Sequence, residues 1–216
     1  MKIRINIVAV SMAILVAVFV LVPTSSSNAV AQPYEDAKDF VETVAGKVVA
    51  NIKDPDLSKR QRLRRYGQIF DDALDSKLIA RIAIGRHLRK ASPEQKAQYF
   101  KDFRSYIIDI YANRFGGHGD AKLEFLSKTR ATKKDALVSA RIKGPKMSPK
   151  DVTFRVRNSV DKYKIVDVTV DGVSLVVTKR SEFNSIIYNQ GIDGLLKALA
   201  EKRFDGPNPT LLFEVF

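Results

Sequence analysis

The sequence predicts an α+β fold in which amphipathic helices pack on one face of a four-stranded antiparallel sheet. Three observations predict it. Apolar residues recur at the 3.6-residue period up to a glycine-rich break at Gly116, switch there to a period of two, and return to the helical period near Ser181. The connections between the alternating segments are short, which suits antiparallel pairing rather than parallel crossovers. There is no cysteine, so the fold must be held by its core without a disulfide.

Residues 1–31 read as a secretory signal. Lys2 and Arg4 form a positive start, an apolar run over 7–22 is interrupted only by Ser11, and a small polar stretch ends in Ala29-Val30-Ala31, an A-x-A cleavage site. The run is marginal for a retained span, which needs about 20 residues. The working protein therefore begins at Gln32, after cleavage behind Ala31, and lies outside the cytoplasm. Residues 32–204 form a single domain, and residues 205–216, with two prolines, form a loosely ordered tail.

The charge follows from that location. The leader holds two of the 37 basic residues and none of the 24 acidic ones, so the full chain's +13 becomes +11. Such a balance ordinarily suggests nucleic acid, which an exported protein meets little of, and no nucleic-acid partner is expected. Anionic phospholipid head groups, acidic envelope polymers or an acidic protein are the natural counter-ions. A basic, solvated surface without a specific target is the plain alternative.

The first helix, over 34–52, carries Ala37, Phe40, Val41, Val44, Val48 and Ile52 on one face, and Asp54-Pro55-Asp56 ends it. A second carries Leu63, Tyr66, Phe70 and Leu74. A third carries Leu78, Ile79 and Ile82 before Gly85. Ser92-Pro93-Glu94-Gln95 then supplies a cap, a proline at the first helical position and a glutamine that closes a capping box. It opens a helix reaching about Phe115, with Phe100, Phe103, Ile107, Ile110, Tyr111 and Phe115 on one face, and Gly116-Gly117-His118-Gly119 breaks it.

Four strands follow. Leu123/Phe125, Ala136/Val138/Ala140/Ile142 and Val152/Phe154/Val156 alternate with polar neighbours, as strands with one wet face do. In the fourth, Tyr163 and Ile165 have one parity whereas Val166, Val168 and Val170 have the other, which requires a bulge near Ile165 or burial on both faces. Helices over 181–188 and 192–203, separated by Asn189-Gln190-Gly191, complete the chain.

No catalytic constellation is visible, so the protein is not read as an enzyme. Only His87 and His118 offer imidazoles, no metal-binding spacing occurs, and Ser174 lacks the second glycine of a nucleophile elbow and reads as a turn or strand serine. Asp71, Asp72 and Asp75 read as solvated or capping carboxylates. A secreted hydrolase would need a nucleophile and a base that the sequence does not offer. The sequence does offer an excess of large apolar side chains directed at one space. A helix-lined cup over a curved sheet can stay partly hollow, although the same stripes serve equally to fill a solid core.

Two stretches add a resemblance. Phe70-Asp71-Asp72 to Asp75 with Ile79-Ala80-Arg81, and Gly85-Arg86-His87-Leu88-Arg89-Lys90-Ala91-Ser92-Pro93-Glu94-Gln95, are similar to segments of the MlaC or toluene-tolerance family, the phospholipid-binding periplasmic shuttles of the maintenance-of-lipid-asymmetry pathway. Tyr163-Lys164-Ile165-Val166-Asp167-Val168-Thr169-Val170-Asp171-Gly172-Val173-Ser174-Leu175, followed by Arg180, Phe183 and Gly191-Ile192-Asp193-Gly194-Leu195-Leu196, resembles a second run typical of that family. Leu88 and Tyr163 stand where its members often carry tryptophan.

The resemblance implies a periplasmic carrier with no cofactor, whose helices and sheet enclose an apolar lipid cavity. Its partners would be a phospholipid or related membrane lipid, an outer-membrane donor complex and an inner-membrane ABC transporter complex. A relative associated with hopanoid biosynthesis has the same pattern and would carry a polycyclic triterpenoid; an envelope adaptor without lipid cargo is the reading from another class. By face and parity, the expected cavity lining is Phe70, Leu74, Ile79, Ile82, Phe103, Ile107, Phe154, Val156, Ile165 and Val168. Arg60, Arg62, Arg64 and Arg65 are expected to steer docking onto acidic partners or head groups.

Overall fold

A computed structural model of the 216-residue chain describes residues 32–115, 122–126, 130–132, 134–144, 147–159 and 162–201. The expected signal over residues 1–31, the expected glycine-rich break after Phe115 and the expected tail over 205–216 lie outside the described residues. Helices α1 (Gln32–Lys53), α2 (Lys59–Ala73) and α3 (Ser76–Ile84) lead through a 3₁₀ turn (Gly85–Lys90) to α4 (Pro93–Phe115). Strands β1 (Lys122–Phe125), β2 (Arg130–Ala131), β3 (Asp135–Gly144), β4 (Met147–Ser159), β5 (Lys162–Val170) and β6 (Val173–Ser174) follow, and α5 (Leu175–Glu201) closes the order.

The helix starts rest on caps legible in the sequence. Ser92 and Gln95 form the expected reciprocal box, with the Gln95 amide N–H donating to Ser92 Oγ at 3.1 Å and the Ser92 N–H donating to Gln95 Oε1 at 3.0 Å. Helix α2 begins with the same device at Ser58 and Gln61, a signal equally present in the sequence. Asp75 caps α3 through Leu78 N–H at 2.9 Å.

Strand order is β1-β3-β4-β5-β6, with β2 also against β3, and every pairing is antiparallel. The four expected strands are β1, β3, β4 and β5; the two-residue β2 and β6 raise the number to six among the described residues. Asp171 and Gly172, with φ of 46° and 85°, form the two-residue β5–β6 turn, a conformation that an Asp-Gly pair adopts readily. The parity slip in β5 is a bulge. Arg155 pairs with Asp167 and Val156 with Ile165, which leaves Val166 as the extra residue. Ile165, Val168 and Val170 thereby share one face, opposite Val156, Phe154 and Val152.

The other face of the sheet is wet and held by cross-strand polar pairs. Arg141 meets Asp151 at 2.6 Å and Lys143 meets Glu124 at 2.5 Å. Asp135, only 3% exposed at its side chain, accepts from Arg155 at 2.7 Å and from Arg157 at 2.6 Å. The helices occupy the apolar face. The N-terminal half of α1 lies directly on it, with Ala37 and Val41 packed against Ala136, Val138, Val156 and Ile165. A second core joins α3, α4 and α5 around Tyr99, Phe103 and Phe183, whose rings meet at 5.8 to 6.3 Å.

One sequence expectation is corrected here and another is met. Helix α5 begins at Leu175, six residues before the expected start, because the β-branched run Val176-Val177-Thr178 reads as strand while tertiary capping makes it helix. Ser174 Oγ accepts from Val177 N–H at 3.1 Å and donates to Asp167 Oδ2 at 2.6 Å. The two expected C-terminal helices are present and meet at a kink at Gly191, whose φ of 71° and ψ of −176° lie outside the helical region and suit glycine almost alone.

The Arg157 guanidinium, together with Arg155, holds the Asp135 carboxyl below its ordinary value of 3.8 despite burial. A carboxylate with a depressed folded value stabilises the protein above its unfolded value and loses that contribution as pH falls through the folded one. Asp135→Asn is therefore expected to cost about 1–3 kcal/mol at pH 7. In urea titrations the gap from the unsubstituted protein should shrink progressively below about pH 3.8; a gap constant down to about pH 2 contradicts the ion-pair account.

Candidate functional site

Helix α1 changes partners half-way along. Its first half packs on the sheet through Ala37 and Val41, whereas Val44, Ala45, Val48, Val49 and Ile52, continuing from Val41, stand off from the sheet and line a cavity of about 240 Å³. Leu123, Ile142, Val152, Phe154, Ile165, Val168 and Val170 form the facing wall on the sheet. Ile69, Phe70, Ala73 and Leu74 of α2 and its cap, Ile79 of α3, Ile107 of α4, and Leu175 and Val176 of α5 close the sides.

Three contacts fix this geometry. Asn51 Nδ2 donates to the Arg62 carbonyl at 3.1 Å, while the Arg62 guanidinium donates to the carbonyls of Asn51, Ile52 (2.6 Å), Asp54 (2.9 Å) and Leu57 (3.3 Å). These are the orphan acceptors that end α1 and its turn, so the end of α1 is fastened to α2 and not to the sheet. The α2–α3 corner is fastened to β5 at the bulge. Asp75 N–H donates to the Ile165 carbonyl at 3.1 Å, and Lys164 Nζ donates to the carbonyls of Asp71 (2.8 Å) and Asp72 (2.7 Å). At the far side Asp167 binds the start of α5 by accepting from Ser174 Oγ at 2.6 Å and from the Val176 N–H at 3.3 Å, and it also accepts from the N–H of its β5 neighbour Val168 at 2.8 Å.

The lining is almost wholly hydrocarbon. Lys122 and Asp167 carry its charges, and the Asp167 carboxylate is already occupied by the bonds just described. Ordered water needs two to four polar partners in such a space, and an apolar cavity of about 150 Å³ is known to stay dry and take benzene. The arrangement therefore suits an apolar occupant.

Of the ten residues expected to line a cavity, Phe70, Leu74, Ile79, Ile107, Phe154, Ile165 and Val168 are brought together around this one. Ile165 and Val168 have opposite parity in the sequence and share the wall because of the Val166 bulge. The other three are placed elsewhere. Ile82 is 37% exposed, because the short α3 directs Ile79 inward and buries Ala80, Ala83 and Ile84 against its helical neighbours. Phe103 belongs to the aromatic core and borders only a separate hollow of about 20 Å³ between α2 and α4. Val156 lies under Ala37 and Val41, where α1 touches the sheet.

The α1 stripe was visible as an amphipathic face, but periodicity does not say which half of a helix lacks a partner. Leu123, Ile142, Val152 and Val170 were likewise visible by parity alone. Among the four arginines, Arg60, Arg64 and Arg65 are exposed, and the Arg60 and Arg64 side chains have no partner among the described residues. Arg62 instead holds the end of α1, and Arg65 pairs with Asp54 at 2.8 Å; these two side chains are engaged within the fold rather than free for steering.

Comparison with known proteins places this geometry in context. A family model described as MlaC protein matches residues 42–201. A solved phospholipid-binding protein from Ralstonia solanacearum, in complex with a phospholipid, is 29% identical and superposes with a TM-score of 0.66. The match covers 77% of this chain and 96% of that one.

If the space beneath α1 is hollow, Val48→Phe should change unfolding free energy by less than about 0.5 kcal/mol. The same enlargement at fully buried Val138, where α1 meets the sheet, should cost about 1–3 kcal/mol. Equal losses at both positions, measured by urea denaturation, would show that the two halves of α1 are packed alike.

Proposed function

The chain belongs to the MlaC family, and from that premise we propose that it is an exported periplasmic carrier which encloses the acyl chains of a phospholipid in the cavity beneath α1. The observation that carries this reading is an almost wholly apolar hollow walled by both layers of the fold, with its one carboxylate, Asp167, already bonded to the protein. The R. solanacearum protein, which shares the fold at 29% identity and was solved with a phospholipid, supports the choice of cargo.

A carrier of this kind answers an energetic need. Exposing buried hydrocarbon costs about 0.8 kcal/mol per methylene, so two long acyl chains in water cost on the order of 20 kcal/mol. That barrier prevents free diffusion between membranes. The hollow of about 240 Å³ is below the usual range of about 300–1,000 Å³ for small-molecule sites, so a diacyl lipid requires its walls to part. The second half of α1 is the wall that no strand holds. Transfer between an outer-membrane complex and an inner-membrane ABC transporter complex completes the proposal, and the exposed Arg60 and Arg64 are available to steer encounters with acidic partners.

Native mass spectrometry of protein purified without detergent should find one diacyl phospholipid per chain. Val48→Phe combined with Val168→Phe should lower that occupancy at least tenfold while the fold, read by circular dichroism, is retained. A bound triterpenoid would move the cargo to hopanoids; protein that is empty and takes no lipid from vesicles would sink the carrier reading. Arg60→Glu with Arg64→Glu should slow transfer between partners at low salt and leave bound lipid unchanged, and an unchanged rate removes these arginines from steering.

A further inference from the structure

The cavity wall continues to the surface through the β5–β6 turn and the start of α5. Val170 lines the cavity and pairs with Val173, so the two share a face of the sheet, yet Val173 is 53% exposed. Leu175 and Val176 line the cavity as well, and Val177, the next residue, is 60% exposed. Three helical turns further along α5, Tyr188 is 87% exposed. Residues eleven apart return to nearly the same helix face, roughly 16 Å away.

The 3₁₀ turn lies against this part of α5. His87 Nε2 and Asn184 Oδ1 are hydrogen-bonded at 2.8 Å, and the Arg180 side chain runs across Gly85, close enough that an added Cβ would meet its Nε at 3.4 Å. Between Asp75 and Glu94 the chain has five cations and no carboxylate. Arg86, Arg89 and Lys90, all exposed, belong to that turn. On the first half of α5, Glu182 is buried and paired with Lys179 at 2.6 Å, so Arg180 is left as its outward charge.

We propose that this face, formed by the β5–β6 turn, the first half of α5 and the 3₁₀ turn, docks the protein directly on an anionic lipid bilayer with the cavity wall against it. The occupant follows from the chemistry of the face. Stable attachment to a membrane takes two signals, an apolar insertion and a basic cluster, and both are present. An exposed tyrosine suits the head-group level, where its ring is apolar and its hydroxyl is wet. Cations near an anionic leaflet each add attraction within a Debye length. Val177 and Tyr188 are separated by polar residues and do not form the continuous, pocket-fitting patch on which a protein partner's hot spots would rely. A fluid bilayer needs no such fit. The inference draws on the lipid-carrier reading only for its purpose, and surface binding is measured separately from lipid content.

The test is co-flotation of the exported protein with phosphatidylcholine vesicles, with or without about 30% phosphatidylglycerol to supply the anionic surface, at low and high salt. Binding should require the anionic lipid. Arg89→Glu with Lys90→Glu should weaken it at least tenfold, while the charge-matched Lys59→Glu with Lys101→Glu, on exposed positions of α2 and α4, should have little effect. Because the chain has no tryptophan, Tyr188→Trp gives a single reporter whose emission should shift to the blue on vesicles. Equal weakening by both charge reversals, no preference for anionic vesicles, or an unshifted indole emission in the vesicle-bound Tyr188→Trp variant overturns the proposal. So does binding only to an acidic protein partner. Native mass spectra of the same variants should keep their lipid, which separates failure of docking from failure of the carrier reading.

Discussion

The cavity depends on where the end of α1 is fastened. A helix with a continuous apolar stripe over a continuous apolar sheet face would ordinarily lie down along its whole length, since each buried aliphatic side chain gains about 1.5–3 kcal/mol. Here the first half of α1 does so and the second does not. Arg62 gathers four carbonyls at and beyond the end of α1, and Asn51 returns a bond to α2. A charged donor satisfying several orphan carbonyls is worth more than an ordinary hydrogen bond, so the helix end follows α2. Since the α2–α3 corner is itself tied to β5 by Asp75 and Lys164, the fastenings bracket a space and do not fill it.

The sheet contributes by having only one apolar face, and by having more of it than strict alternation allows. In a regular strand Ile165 and Val168 would point to opposite sides. The extra residue at Val166 adds Ile165 to the wall and places the Ile165 carbonyl where Asp75 can reach it. One irregularity thus serves both the lining and the anchor. The opposite face compensates with ion pairs between neighbouring strands, so it is stable without a covering layer. Among these, Asp135 is the deepest and its two arginines lie on one strand.

The class of the fold was legible because its signals are local. The change of period, the Ser92 box and the Asn189-Gln190-Gly191 break all lie within a few residues of what they determine. The β5 parity slip even located the bulge. What was not legible depends on contacts between distant segments. Tyr99 and Tyr106 are among the most buried residues of α4, but their hydroxyls disguise them as amphipathic positions, and the bond from Tyr99 Oη to the Ala80 carbonyl at 2.8 Å that makes burial tolerable spans two helices. The start of α5 depends on Asp167 from another element. Arg62 looked like its neighbours Arg60 and Arg64, since a helix sequence does not show which cation reaches the end of the helix before it. For the same reason Val156 and Phe154 were equivalent by parity, and only the tilt of α1 makes one core and the other lining.

The hollow also sets an energetic direction for the proposed cycle. At about 24 cal/mol per Å³ of enclosed void, a space of 240 Å³ costs at most on the order of 5 kcal/mol when unfilled, set against the roughly 5–15 kcal/mol typical of whole-domain stability. A protein without a disulfide has no covalent constraint to offset that loss. An apolar occupant recovers it, so in the carrier reading the loaded form is the relaxed state and the empty form the strained one. Loading then runs downhill wherever lipid can reach the mouth, and unloading requires a receiver that binds the lipid more tightly or holds the walls apart. A bilayer against the start of α5 meets the first requirement by presenting lipid beside Leu175 and Val176. Directionality must come from the partners, because the hollow itself favours capture.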